Sequence, residues 1–531
     1  MSLAEYSRQN LARAFGWMLT STPNRSLKRE QSADLLAAAL LLLLCVAFYL
    51  PKLAAPISAQ DEGILLAYPD LILRGYLPYR DFAALYTPGS LYLVSLAFGL
   101  FGESLLVERA VGLLYWWALA CSLYFIGLSV SRLTGYAAAL ATVIGLIFFP
   151  AGAYAMTAAL ALALGALLAA YRSYASGEPA AQRRLSLLAG ASAGGALWFR
   201  HDVGVLVSAA LFFMFLTGPR FRLARFFGGV FLVGVPLLAY LGTVGLDVSF
   251  ESLVLDVLRN GPGRKLPLVI SPALLALFAL VAATVAAAVY GHIRKFAHSE
   301  RVLMRGAAIL AAGLLPSVLQ RADGWHIIYV AGPVLGLAIV CAGLVLKAGR
   351  PGTATLRLSV TGSVCVMLAL VVLSSFSAMR VKHTVPIVSG DRLIHFSAQP
   401  TARDLQRTVD ELNRVAQPGW RIFIGPNDLR YTNYNDSFLY FLLPQLAPSS
   451  RFIELNPGVA NRTGSGLAEQ IASADVVVLN SSYDNWREPN ASSVPGPDAA
   501  NRVVAERYCE HRRLGHWRIL LRCQSTEGND G

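Results

Sequence analysis

Apolar residues in this chain come in blocks separated by short charged loops. Leu35–Leu50 and Pro272–Tyr290 contain no charged residue. The second has the length a helix needs to cross a bilayer, about 20 residues. The pattern predicts eleven spanning helices, at about 35–54, 104–132, 135–151, 154–175, 185–199, 203–217, 227–246, 271–291, 306–319, 327–346 and 358–376. Between the first two lies a partly apolar stretch rich in Tyr, Pro and Gly. There Pro88–Phe101 is too short to span and reads as a re-entrant or interfacial helix.

Charge orients this array. Residues 1–34 carry Arg8, Arg13, Arg25, Lys28 and Arg29 and are expected in the cytoplasm as a tail on a retained anchor. The basic loops around Arg183, Arg222, Lys295 and Arg350 then fall on the cytoplasmic side by parity. The loops holding Asp61, Glu62, Asp81, Glu103, Asp202, Asp256 and Asp323 fall on the other. Span three, short and interrupted by Gly145, is the weakest member. An odd count puts the C-terminus outside, so the expected location is the inner (plasma) membrane with a periplasmic tail.

Residues 377–531 have a different texture. Helix signals over Thr401–Gln417, Ser437–Leu443, Leu467–Ser473 and Ala499–Tyr508 alternate with strand signals at Arg421–Ile424, Asp475–Leu479 and Trp517–Arg522. The expected organisation is a tail (1–34), a polytopic α-helical membrane domain (35–376) whose first outer loop is 55–103, and a soluble extracytoplasmic α/β domain (377–531).

Composition agrees: 55% hydrophobic and only 15% charged, against about 25% charged in soluble proteins. The net charge of +13 sits mainly in the short loops, where it sets orientation, so no nucleic-acid partner is expected. Cys45, Cys121, Cys341 and Cys365 lie in apolar blocks. Cys509 and Cys523 lie in the tail and are either a disulfide or two free thiols; spacing alone leaves this open.

The candidate chemistry gathers in Ser58–Arg109, which contains Asp61-Glu62-Gly63, Arg80-Asp81, Pro88-Gly89, Phe101-Gly102 and Glu108-Arg109. Ionisable residues at a membrane boundary are costly unless they pair or work. Asp61 and Glu62 are either solvated loop carboxylates or functional ones. The cations expected on the same side are Arg80, Arg109, Arg200, Arg264, Lys265 and Arg321. Each is either a lipid-facing group or a ligand for phosphate. Asp81 and Asp202 stand beside Arg80 and Arg200 and could simply neutralise them. Arg200-His201-Asp202 and Arg321-Ala322-Asp323-Gly324-Trp325-His326 put mixed charge on the outer rim. A divalent metal held by Asp61, Asp323 and His326 is a weak alternative, because no tight His/Cys spacing supports it. No cofactor is expected.

In order, Asp61-Glu62 after the first span, Pro88-Gly89 before a short apolar helix, Phe101-Gly102, and Arg109 near the top of span two resemble the GT-C superfamily of polyprenyl-phosphate-dependent glycosyltransferases. The resemblance is to the branch of protein O-mannosyltransferases and lipid A aminoarabinose transferases, and it covers about residues 35–376. It implies an inverting glycosyltransferase moving a hexose or pentose from a polyprenyl-phosphate donor to a glycan, lipid or protein acceptor of the cell envelope. It also implies Asp61 as the base, Glu62 as its helper or substitute, and Arg109 as a phosphate ligand. Arg80, Asp81, Arg200, His201, Asp202, Arg321, Asp323 and His326 are the further candidates for substrate binding. The competing reading is a multi-span transporter or flippase of an envelope precursor.

Overall fold

The computed structural model describes residues 25–148, 152–348, 384–397 and 401–523. The helical region runs α1 (Arg25–Tyr49), α2 (Asp61–Leu73), α3 (Gly89–Phe101), α4 (Leu105–Gly127), α5 (Arg132–Phe148), α6 (Ala155–Ala175) and α7 (Pro179–Phe199). It continues through α8 (His201–Leu216), α9 (Arg220–Val244), α10 (Asp256–Arg264), α11 (Pro272–Ile293), α12 (His298–Gly313), α13 (Leu315–Gln320) and α14 (Gly324–Ala348). Among the described residues, seven helical segments, including α12 with α13 as one, are long and apolar enough to cross a membrane. Three further expected spans form α5, α7 and α8, which fall short by length or hydropathy. The expected eleventh, 358–376, lies outside the described residues.

Length separates α3, with 13 residues, from the spanning helices. Helix α3 buries Gly89, Ser90, Val94, Ala97 and Phe98, while Leu93, Leu96, Leu100 and Phe101 face outward. One flank is therefore packed and the other is free for lipid. Its Pro88-Gly89 start has a steric reason. A Cβ on Gly89 would lie 2.6 Å from the carbonyl oxygen of Trp198, so only glycine lets α3 meet the end of α7.

The C-terminal region holds a hairpin, β1 (Thr384–Ser389) and β2 (Arg392–Ser397), then α15 (Thr401–Val415), β3 (Arg421–Pro426), α16 (Phe438–Leu442), β4 (Ala447–Pro448) and α17 (Leu467–Ala472). After these come β5 (Val476–Asn480), α18 (Ala499–Arg507), β6 (Tyr508–Leu514) and β7 (Trp517–Arg522). The main sheet has the order β4-β3-β5-β7-β6, parallel across β4, β3 and β5 and antiparallel beyond. Strand β5 (VVVLN) is buried on both faces, as a central parallel strand requires. Cys509 and Cys523 form a disulfide across β6 and the end of β7.

One apolar core crosses between the two regions. It joins Leu66, Tyr68, Leu71, Phe82 and Phe98 to Ile394, Leu405, Ile424, Phe438 and Phe441. Helix α2 lies so close to α16 that a Cβ on Gly63 would sit 2.7 Å from the backbone nitrogen of Phe438. Buried Arg392 completes the seam. It donates to Asp70 Oδ1 at 2.6 Å, to Glu103 and to the Phe441 carbonyl. The sheet region and segment 57–103 thus share one end of the helical bundle.

Candidate active site

Asp61 and Glu62 are sequence neighbours at the start of α2 and meet opposite environments. Glu62 is 1% exposed. Its two oxygens accept Arg109 Nε at 2.7 Å and Nη2 at 2.9 Å. Arg109, also 1% exposed, gives Nη1 to the carbonyls of Lys52, Leu53 and Ala55 at 2.9, 2.6 and 3.1 Å. These contacts fasten the chain after α1 to α2, and at 1% exposure the guanidinium is closed to a phosphate approaching from solvent, which sets it apart from the role the resemblance implies for it. Glu62 is equally withdrawn from any acceptor. Glu108, one residue before Arg109, accepts the Ala153 N–H at 2.5 Å.

Asp61 is exposed. It enters no salt bridge among the described residues, and its partner is the Ser58 hydroxyl, which donates to Oδ2 at 3.1 Å. Because the Ser58 hydroxyl has a single proton, the Tyr434 hydroxyl 3.1 Å away donates to it in turn. Tyr434 also accepts the Gln60 N–H at 3.2 Å. Asn435 fixes the adjoining backbone: its N–H donates to Gln60 Oε1 at 3.0 Å and its Nδ2 to the Ile453 carbonyl. Residues of the sheet region therefore set the geometry around Asp61.

Around Asp61 the walls are aromatic and cationic. The fields of Asp61, Tyr86 and Arg200 all reach Tyr329. Arg200 lies over the Tyr86 ring, 4.6 Å from its centroid, and grips Asp202 with Nε at 2.9 Å and Nη2 at 2.6 Å. His201 opens α8 with Nδ1 buried and unpartnered. Arg321 is shared between Asp323, at 3.0 Å, and Glu488 of the sheet region. Asp323 also accepts His326 Nδ1 at 2.8 Å and His326 N–H at 3.0 Å. Burial pushes the Asp323 carboxyl up, but His326 and Arg321 outweigh it and hold the carboxyl down at about 2. Among the described residues no three His, Cys, Asp or Glu side chains could hold a metal together, and Asp61 does not join the Asp323–His326 pair.

Arg80 and Asp81 are not part of this arrangement. They pair with each other at 2.9–3.0 Å on the turn after α2. Asp81 also caps the Leu77 N–H at 2.7 Å. Asp61 lies at the start of this 13-residue helix, and Arg80 and Asp81 follow its end.

Two residues gain importance from the structure. Arg264 ends α10, and its charge acts on Glu454, which also feels Asp61. Burial pushes the Glu454 carboxyl above the usual range, and Arg264 only partly offsets this. Neither Arg264 nor Lys265 enters a salt bridge among the described residues. Contact between Glu454 and a site more than 390 residues upstream leaves no local trace in the sequence.

A polytopic bundle whose first non-spanning segments pack under a sheet-bearing region defines a GT-C-type membrane fold. Solved structures of that fold are its structural neighbours. ArnT from Cupriavidus metallidurans bound to undecaprenyl phosphate matches at a TM-score of 0.54 and 12% identity, covering 93% of this chain and 99% of that one. The same protein in the apo state matches at 0.51 and 12% identity, covering 92% and 98%. ArnT is a glycosyltransferase of the GT-C superfamily, so the likeness read from the sequence motifs recurs in the fold. The sequence matches no protein-family model and none of the curated proteins.

Proposed function

We propose that this chain is an inverting glycosyltransferase. It takes a sugar from a polyprenyl-phosphate donor and passes it to an envelope acceptor on the outer face of the membrane. One observation carries the reading: Asp61 is an exposed, oriented carboxylate free of any salt bridge among the described residues, in a rim of cations and tyrosines. The donor already has a phosphate leaving group, so the protein needs a base for the acceptor hydroxyl and cations for the departing phosphate. Asp61 takes the acceptor proton. Arg264 and Lys265 are the first choice for the phosphate, because Arg200 and Arg321 are already shared with Asp202, Asp323 and Glu488. The Glu62–Arg109 pair acts as a positioning element that fixes the start of α2. A donor of the undecaprenyl-phosphate kind is the natural candidate, since ArnT is the neighbour bound to that lipid. The acceptor enters on the side of Tyr434, Tyr483 and Trp486, whose rings lie 5.2–5.4 Å apart.

A transporter would hold its charges at mid-bundle. Here they sit at helix ends: Glu108 and Arg109 near the start of α4, Arg200 and Asp202 between α7 and α8, Arg321 and Asp323 between α13 and α14. The test is transfer from radiolabelled polyprenyl-phosphate sugars in membranes containing wild type or Asp61→Asn. Wild type should transfer and the variant should not. Equal transfer by both would remove the mechanism, and no transfer from any donor by wild type would favour transport.

A further inference from the structure

Beyond the opposite end of α2 a cleft of about 310 Å³ opens between residues 71–82 and the ends of β3 and β4. Leu71 and Phe82 give it an apolar wall. Arg421, Ser449, Arg451 and Gln470 give it a polar one. Two polar atoms here are buried without a partner: Ser449 Oγ, on a residue 3% exposed, and Arg451 Nε. A buried polar group left unpaired is destabilising, so two on one wall point to a ligand.

The charge balance points the same way. Arg451 Nη2 reaches the Tyr79 carbonyl only at 3.5 Å, and Arg421 Nη2 donates to the Ser449 carbonyl at 3.2 Å. Neither guanidinium enters a salt bridge among the described residues. Asp81 also lines the cleft, but Arg80 and the Leu77 N–H already hold it. Gln470 uses its carbonyl on Ser450 Oγ and the Arg451 N–H, which leaves its amide nitrogen as the outer end. The wall is thus a set of donors with a net positive charge.

We propose that this cleft binds an oxyanion, a phosphate or carboxylate carried on a body with an apolar face, through Arg421, Arg451 and Ser449. Planar guanidiniums suit such groups. Residues from both regions line the cleft, so a bound anion would tie 71–82 to the sheet and stabilise the seam. The lipid-facing flank of α3 runs beside Leu73, which makes a lipid headgroup one source of the anion. A soluble phosphorylated or carboxylated solute is the other.

The test uses thermal unfolding of the full-length protein in neutral detergent with added phosphatidylglycerol, phosphatidylcholine or inorganic phosphate. No transfer assay is needed, so the result stands apart from the glycosyltransferase reading. Wild type should be stabilised by phosphatidylglycerol or by phosphate, and half-saturation should weaken at least tenfold in Arg421→Gln. Phosphatidylglycerol alone acting identifies a headgroup, and inorganic phosphate acting as well identifies a soluble anion. Ser449→Ala removes one hydroxyl, keeps the fold, and should weaken binding by a smaller factor. No shift with any addition, or equal shifts in wild type and both variants, overturns the proposal.

Discussion

Glu62 and Asp61 are adjacent carboxylates, and the floor and the rim they occupy use charge in opposite ways. On the floor, Glu62, Arg109 and three backbone carbonyls bind one another at 1% exposure of both side chains. Such a pair is expensive to break and unable to bind anything else. On the rim, Asp61 has a hydroxyl partner in Ser58, and neither it nor Arg264 enters a salt bridge among the described residues. Charge that the fold has not neutralised is charge available to a substrate. The difference teaches that an acid-arginine motif can divide: one residue of each sign is spent on holding the fold, and the remaining carboxylate stays exposed, as the proposed base requires.

The largest expected effect tests the rim. Asp61→Asn should lower transfer by about 10²–10⁴-fold, the usual contribution of a positioned general base. Its unfolding temperature should stay close to wild type, since no salt bridge is lost. The floor should respond the other way. Arg109→Met alone strands a buried carboxylate and should cost about 3–5 kcal/mol of stability, read by thermal unfolding in detergent. Glu62→Leu with Arg109→Met should recover much of that, because an apolar pair replaces an ionic one. A stable single variant with lost donor binding would instead return Arg109 to the phosphate.

The sequence announced the motif but not this division. Apolar blocks placed ten described helices close to where they occur, because a spanning helix is set by its own composition. Helix α7 begins earlier than expected, at Pro179, where proline suits the first helical turn. In the C-terminal region α15, β3, β5 and β7 followed from local periodicity. Strand β6 did not: Tyr508–Leu514 (YCEHRRL) is a polar edge strand, and its pattern carries no apolar alternation. Hairpin β1–β2 went unread as well. The roles of Arg109, Arg392 and Tyr434 were beyond reach for a different reason. Each depends on a partner 47 to 376 residues away, and exposure in a loop looks the same as burial until the partner is known.

Smaller effects sharpen the rim itself. Arg264→Gln should raise the donor KM about tenfold with little change in kcat, as expected when one charge-assisted contact of about 1.4 kcal/mol is removed. An unchanged KM would pass the phosphate to Arg200 or Arg321. Tyr434→Phe removes the hydroxyl that donates to Ser58. One neutral hydrogen bond is worth about 1 kcal/mol, so transfer should fall about fivefold with the fold intact. A positioning role predicts that this loss appears in kcat, and that the acceptor KM barely moves.

The smallest effect comes from a third kind of charge, a covered carboxylate whose arginine partners are exposed. Glu411 on α15 accepts Arg512 Nη1 at 2.7 Å and His511 Nε2 at 2.7 Å from β6, together with Arg414. Arg414 first, then His511 and Arg512, hold its carboxyl down at about 2, below an ordinary value of 4.5. A carboxyl depressed on folding adds stability that is complete above about 4.5 and is lost as the pH falls toward 2. Its arginine partners are more than half exposed, so solvent screens each pair and its contribution is small. Glu411→Gln should therefore lower stability slightly at neutral pH and flatten the loss between pH 4.5 and 2. Followed by acid titration of tryptophan fluorescence, wild type and variant should converge near pH 2. If they stay apart there, Glu411 acts through packing against β6 rather than through charge, and the network belongs with the floor after all.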